Sequence, residues 1–340
     1  MHDLKLATAS RAVQAHVDNM NADAWPLPLA ASRQNLEGSG GTRHALDWRR
    51  RSPNWAAFAR TLTQLELGYD ESKRILWQYM FPTERPSFTR ELISDMSATL
   101  DFVESVWCDH SNIDSAPVSF LVLASQLHGI FNLGGDLALF LRLIETQDRD
   151  SLRRYAHACV DGQHRISVNL ELPICTIALV QGDALGGGFE AALAHNVIIA
   201  ERTVKFGLPE VMFNLFPGMG AYSFLSRRLD AVRAERMILS GRLYTAEELY
   251  EIGVVDVLAE PGHGVEAVHQ FVGQYARTNR TRQAVTKARQ IVNPVSRDEL
   301  IRITDLWVDT ALSLDATDLR KMQHLAKAQN RRWAKLSRNL

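Results

Sequence analysis

Cysteine is scarce. The 340-residue chain has three, Cys108, Cys159 and Cys175, an odd and widely separated set. That spacing offers neither a disulfide framework nor the close pairs of a zinc site, and it suits reduced, buried thiols in a reducing compartment. Net charge is nearly absent as well, −1 from 38 basic and 39 acidic residues, so no global basic field draws the chain to nucleic acid or to a membrane surface. A charged partner would have to be met by a local patch. No apolar run approaches the roughly eighteen residues a membrane span needs, and the opening MHDLKLATASRAVQAHVDNM is charged without an apolar core. A cytoplasmic protein without nucleic-acid or membrane partners is expected. Four motifs are missing too: G-x-S-x-G, H-E-x-x-H, G-x-G-x-x-G and the P-loop. Their absence argues against a serine triad, a catalytic metal and the two common nucleotide cradles.

What is present is enough for a large core, since 46% of residues are hydrophobic. Residues 1–60 mix LPLAAS, EGSGGTRH and RRRSP with little periodicity and read as a partly flexible extension. From Leu62 the pattern becomes regular. LTQLELGYD and RILWQYMFP have strand character, FTRELISDMSATLDFVESVW has a helical apolar stripe, and VSFLVLASQ is a buried strand. Two further helices, the buried strand ICTIALVQG, a short helix GFEAALAHN and the strand NVIIAER follow, an alternation that predicts an α/β fold. Beyond about residue 220 the chain turns almost wholly helical. The expected division is an extension over 1–60, a catalytic core over 61–260 and a C-terminal helical region over 261–340, the last serving as acyl-pocket lid and oligomerisation element.

Two glycine-bearing junctions stand between a buried strand and a helix: FNLGGDLALF (131–140) and GDALGGGFEAALAHN (182–196). The first N–H groups of a helix have no partner within it, and the helix dipole stands behind them. Two such loops converging would aim two donors at one developing oxyanion, as when a thioester carbonyl becomes an enolate. Taken alone, either loop is better explained by tight turns and close packing. Two acids strengthen the functional reading. Glu190 lies one turn behind Gly187, and Glu210 follows a proline inside the apolar stretch FGLPEVMFNLFPG, where a carboxyl should have a raised pKa. Together they form a candidate general acid and general base.

At these residues the chain resembles the enoyl-CoA hydratase/isomerase (crotonase) superfamily. The matching segments are FNLGGDL, VQGDALGGGFEAAL, FGLPEV and YTAEELYEIGVVDVL. The resemblance implies an α/β spiral of ββα units with a C-terminal helical region used in trimer assembly. It also implies oxyanion-hole N–H groups from Gly135 and Gly187, and the two acids of the hydratase branch at Glu190 and Glu210. The first loop reads Asn132-Leu133-Gly134-Gly135 rather than an alanine-rich form, and Asn214 and PGMGAYSFLSRRL replace the usual sequence after the second acid. With RITDLWVDTAL and HLAKAQNRR, these variants look most like the diffusible signal factor synthases of Gram-negative bacteria.

That closer resemblance implies dehydration of a 3-hydroxyacyl group on acyl carrier protein to a cis-2-enoyl thioester. Hydrolysis would then free a cis-2-unsaturated fatty acid used in quorum sensing. No metal or resident cofactor is implied, since the substrate arrives on the phosphopantetheine of the carrier protein or on CoA. The receiver region of a sensor kinase is a further implied partner. An acyl chain needs an apolar pocket, for which Phe216, Met219, Trp307 and Leu325 are candidates. Arg227, Arg228, Arg331 and Arg332 are candidates for a basic docking patch. Two alternatives stay open: a metabolic enoyl-CoA hydratase or isomerase, and a non-catalytic acyl- or protein-binding homologue.

Overall fold

The structure, a computed structural model, describes residues 54–107 and 117–336. Its first element already belongs to the core, although it falls inside the stretch read as an extension. Asn54 caps helix α1 (Trp55–Ala59) by accepting the Ala57 N–H at 3.0 Å, and Trp55 is buried between the rings of Tyr69 and Phe102. A hairpin of β1 (Leu65–Asp70) and β2 (Ile75–Met80) follows, then helix α2 (Arg90–Trp107), which buries Leu92, Leu100, Val103 and Trp107 along one side.

The chain then repeats one path. A strand of one sheet leads into a strand of a second sheet, and the return is helical or turned. The first pass is β3 (Phe120–Ser125), β4 (Gly129–Asn132), α3 (Leu137–Glu145) and α4 (Arg149–Ser167). The second is β5 (Cys175–Val180), β6 (Gly182–Leu185) and α5 (Gly187–Ala194). The third is β7 (Val197–Glu201), β8 (Lys205–Gly207) and a 3₁₀ turn over Pro209–Phe213. Helices α6 (Ala221–Arg228) and α7 (Ala231–Ser240), strand β9 (Leu243–Thr245), helix α8 (Ala246–Glu251) and strand β10 (Val257–Ala259) complete the core. Four helices end the chain: α9 (Gly264–Arg277), α10 (Asn279–Val292), α11 (Arg297–Leu312) and α12 (Ala316–Leu336).

The larger sheet has the order β1-β2-β3-β5-β7-β10, parallel except for the hairpin, and the smaller has the order β4-β6-β8-β9. The expected spiral of ββα units and the C-terminal helical region are both present. Strands β3 and β5 are buried along their whole length and apolar but for Ser125 and Thr176, as parallel strands covered on both faces should be. The short strands β4 and β6 carry no strand signature in the sequence, because GIFN and GDAL are too brief and too rich in Gly, Asn and Asp to show a period of two. They are made by close approach: a methyl at Gly182 would collide with the Ile130 backbone. Phe131, Phe189 and Phe206 fill the space between the sheets, Phe189 and Phe206 with ring centres 5.1 Å apart. Each contributes on the order of 2–3 kcal/mol through burial. Because β4 and β6 pair in parallel, both glycine loops leave the same edge of the small sheet.

Cys159 and Cys175 are free thiols, the latter buried, and Cys108 lies outside the described residues. Among the described residues no helix is long and apolar enough to cross a membrane.

Candidate active site

The two glycine loops meet backbone to backbone. Gly134 has φ +96°, and a side chain there would lie 2.8 Å from the Leu185 carbonyl and 3.0 Å from the Gly187 nitrogen. A methyl on Gly187 would in turn sit 3.4 Å from the Gly135 nitrogen. The sequence makes this approach by local means. Asn132, buried, turns its side-chain oxygen onto the Gly134 N–H at 2.8 Å, and the Leu133 N–H donates to the Pro86 carbonyl at 2.7 Å. Opposite, Gly186 with φ +51° starts α5, every residue of which is buried. The Gly187 N–H stands in the first turn, where the helix offers no acceptor, and the Gly135 N–H makes no hydrogen bond within the described residues. Two neighbouring donors are thereby left for an outside oxygen.

Glu190 is 2% exposed. Its Oε1 accepts the Met219 N–H at 2.8 Å and the Ala221 N–H at 3.1 Å, so the turn before α6 holds the carboxyl in place. Burial raises its pKa to about 7, and the two N–H bonds oppose the rise. Glu210, carried by the 3₁₀ turn, comes from the other side. A methyl on Gly186 would lie 2.5 Å from Glu210 Oε1, while Oε2 is buried without a hydrogen-bond partner among the described residues. Burial raises its pKa to about 8, with the nearby charge of Glu190 adding to the effect. Like charges this close in a low-dielectric pocket favour a shared proton, so the pair holds one acid and one base near neutral pH. The buried His195, by contrast, is held neutral: burial lowers its pKa to about 4 and its Nδ1 lies 2.8 Å from the Ala191 carbonyl.

Of the acyl-pocket candidates, Met219 and Trp307 fall beside these loops. Met219 supplies the backbone donor to Glu190. Trp307 lies against Gly218, where a methyl would strike the indole, and its ring meets Phe140 edge-on at 5.2 Å. Phe140 in turn backs Gly135, at which a methyl would approach its ring to 2.6 Å. Thr304 Oγ1 donates to the Gly218 carbonyl at 2.8 Å and ties α11 to the turn that grips Glu190. Phe216 and Leu325 are half-buried against the same core.

The C-terminal helix α12 spans the whole site. At its start Asp318 accepts from Asn214, four residues beyond Glu210. Near its end Gln329 donates to the Leu133 carbonyl at 2.8 Å, and Arg332 donates to the Gly129 carbonyl at 2.7 Å while pairing with Asp183 at 2.9 Å. Arg332 therefore braces β4 and β6 together. This overturns the expected docking patch, since three of its four arginines are spent inside the molecule. Arg227 forks onto Glu299 and Arg228 onto Asp256 and the His195 carbonyl; Arg331 alone is exposed. Two features escaped sequence reading: the Gln329 and Arg332 clamp, which has no local signature, and a stripe on α4. Tyr155, Cys159 and Gln163 recur every fourth residue on that helix, a spacing visible in the sequence, and face the Glu190 side of the site.

A family model described as enoyl-CoA hydratase/isomerase matches residues 82–330. An enoyl-CoA isomerase/hydratase of Zymoseptoria tritici is 30% identical over 179 residues, 53% of this chain. The chain spans about half, 54%, of that curated relative's length. Among solved structures, an enoyl-CoA hydratase from Bacillus halodurans is 20% identical, with a TM-score of 0.63 over 77% of this chain and 100% of its own. Pseudomonas aeruginosa DspI is 21% identical, with a TM-score of 0.56 over 69% of this chain and 90% of its own. At these identities the solved structures share the fold.

Proposed function

The chain belongs to the enoyl-CoA hydratase/isomerase family, and from that premise we propose that it dehydrates a 3-hydroxyacyl thioester, carried on acyl carrier protein, to a cis-2-enoyl thioester and hydrolyses it to a free cis-2-unsaturated fatty acid signal. One observation carries the reading: two buried carboxyls with raised pKa values stand beside two free N–H groups on converging loops. The Gly135 and Gly187 N–H groups would polarise the thioester carbonyl and hold the enolate. Losing one such donor typically costs about 3–4 kcal/mol of transition-state stabilisation. One glutamate takes the α-proton while the other protonates the departing 3-hydroxyl. For hydrolysis the same donors would hold a tetrahedral intermediate and a glutamate would activate water.

The acyl carrier and the hydrolytic step come from the sequence resemblance, supported by Asn132-Leu133-Gly134-Gly135 in place of an alanine-rich first loop. The same reading makes the enzyme a cytoplasmic homo-oligomer, a trimer, with a sensor-kinase receiver region as a second partner. Helix α10, which buries no residue and leaves Ile291 and Val292 more than 80% exposed, supports an assembly face there. The test is to incubate the protein with 3-hydroxydodecanoyl-acyl carrier protein and follow products by mass spectrometry, beside crotonyl-CoA. A free cis-2-enoic acid supports the reading. Hydration of crotonyl-CoA without it identifies a metabolic hydratase, and silence on both identifies a binding protein.

A further inference from the structure

Helix α4 lays three polar side chains against the site at i, i+4 and i+8, and the first of them is already occupied. The Tyr155 hydroxyl donates to the Phe88 carbonyl at 2.5 Å and accepts the Asp136 N–H at 3.3 Å. The Cys159 thiol sits beside Tyr155 and lies close enough to Glu190 to feel its charge. Gln163 is different. It is 9% exposed, its Oε1 is buried without a partner, and its side chain makes no hydrogen bond within the described residues. It lies against Gly220, where an added side-chain carbon would stand 2.8 Å from that oxygen. Gly220 stands between Met219 and Ala221, the two residues whose N–H groups hold Glu190. The Gln163 amide therefore packs against the turn that holds the Glu190 carboxyl.

A buried amide left unpaired is destabilising, and the surrounding core residues give it nothing in return. Phe224, Met219 and Trp307 around this turn are apolar. We propose that Gln163 is a specificity-determining contact for the substrate's 3-hydroxyl, holding that oxygen beside Glu190. The proposal rests on the 3-hydroxyacyl reading above and adds the group that would recognise the hydroxyl. Either end of the amide serves, because a hydroxyl both donates and accepts. A plain acyl chain would leave the amide unpaired, so the pocket should discriminate against it.

The test uses two non-reacting probes, the pantetheine amides of 3-hydroxydodecanoic and dodecanoic acid, with binding measured by calorimetry. The wild-type protein should favour the hydroxylated probe by roughly fivefold to tenfold, the worth of one neutral hydrogen bond. Gln163→Met should erase that preference, leave the affinity for the plain probe within about twofold, and keep or raise the melting temperature. Gln163→Leu gives a second apolar variant with the same expectation. No preference in the wild type, or a preference that both variants keep, would overturn the proposal. Dehydration of the 3-hydroxyacyl thioester is assayed separately. A wild-type preference lost in the variants, without any dehydration, would sink the proposed reaction and leave the Gln163 contact standing.

Discussion

At the scale of single residues, the two glutamates make the site sensitive to pH in both rate and stability. Dehydration needs one carboxyl ionised and one protonated, so the rate should peak between about pH 7 and pH 8, where the dyad holds one proton. Stability runs the other way. Both folded-state pKa values lie above the ordinary carboxyl value of 4.5, so between about pH 4.5 and pH 8 the folded protein binds more protons than the unfolded chain. Stability therefore falls as pH rises through that window, and the full cost is present above it. Glu210→Gln removes the buried charge and should raise the melting temperature at pH 9, by roughly 2–4 °C per kcal/mol recovered, while changing it little at pH 5. Differential scanning calorimetry at the two pH values checks this. Gly186→Ala tests the geometry instead: it forces a side chain into a left-handed backbone and to within 2.5 Å of Glu210 Oε1. A loss in kcat of at least about 100-fold is expected, with KM changed much less. Glu190, Glu210, Gly135 and Gly187 stand out as candidates in the sequence because an acid in an apolar stretch and a glycine at a helix start each have a local signature. Gln163 has no such signature, since a glutamine on a helix looks solvated until the neighbouring turn is placed.

At the scale of elements, the site is assembled from the ends of two short strands and closed by one long helix. Parallel pairing of β4 with β6 makes the two glycine loops neighbours, and α12 braces that pair through Arg332 and Gln329. The helix is thus a positioning element for the donors it never touches. Gln329→Ala releases the carbonyl that precedes Gly134 and should lower kcat about tenfold, with the melting temperature within about 2 °C of wild type. Arg332→Ala leaves the Asp183 carboxylate unpaired and should cost both activity and about 1–3 kcal/mol of stability. Steady-state kinetics paired with thermal melts separates the two. The long elements were readable from period and composition. The small sheet was missed, because strands of three or four residues owe their pairing to neighbours distant in sequence, such as Gly182 against Ile130.

At the scale of the whole molecule, the large sheet acts as a rigid floor from which each turn of the spiral delivers one piece of the site. The first turn brings Gly135, the second Gly187 and Glu190, and the third Glu210. The alternation of strands and helices announced the fold class, while the meeting of three successive turns at one point required the fold itself. The arginines chosen as a docking patch show the limit from the other side. Clustered charge in the sequence reads as surface, yet Arg227, Arg228 and Arg332 hold helices and strands together. The most direct measurement is the dehydration rate of a 3-hydroxyacyl thioester from pH 5 to pH 10 for the wild type, Glu190→Gln and Glu210→Gln. A bell-shaped wild-type profile and a loss of at least about 1,000-fold in each variant are expected. A variant that keeps more than about a tenth of the wild-type rate would contradict the paired-glutamate mechanism.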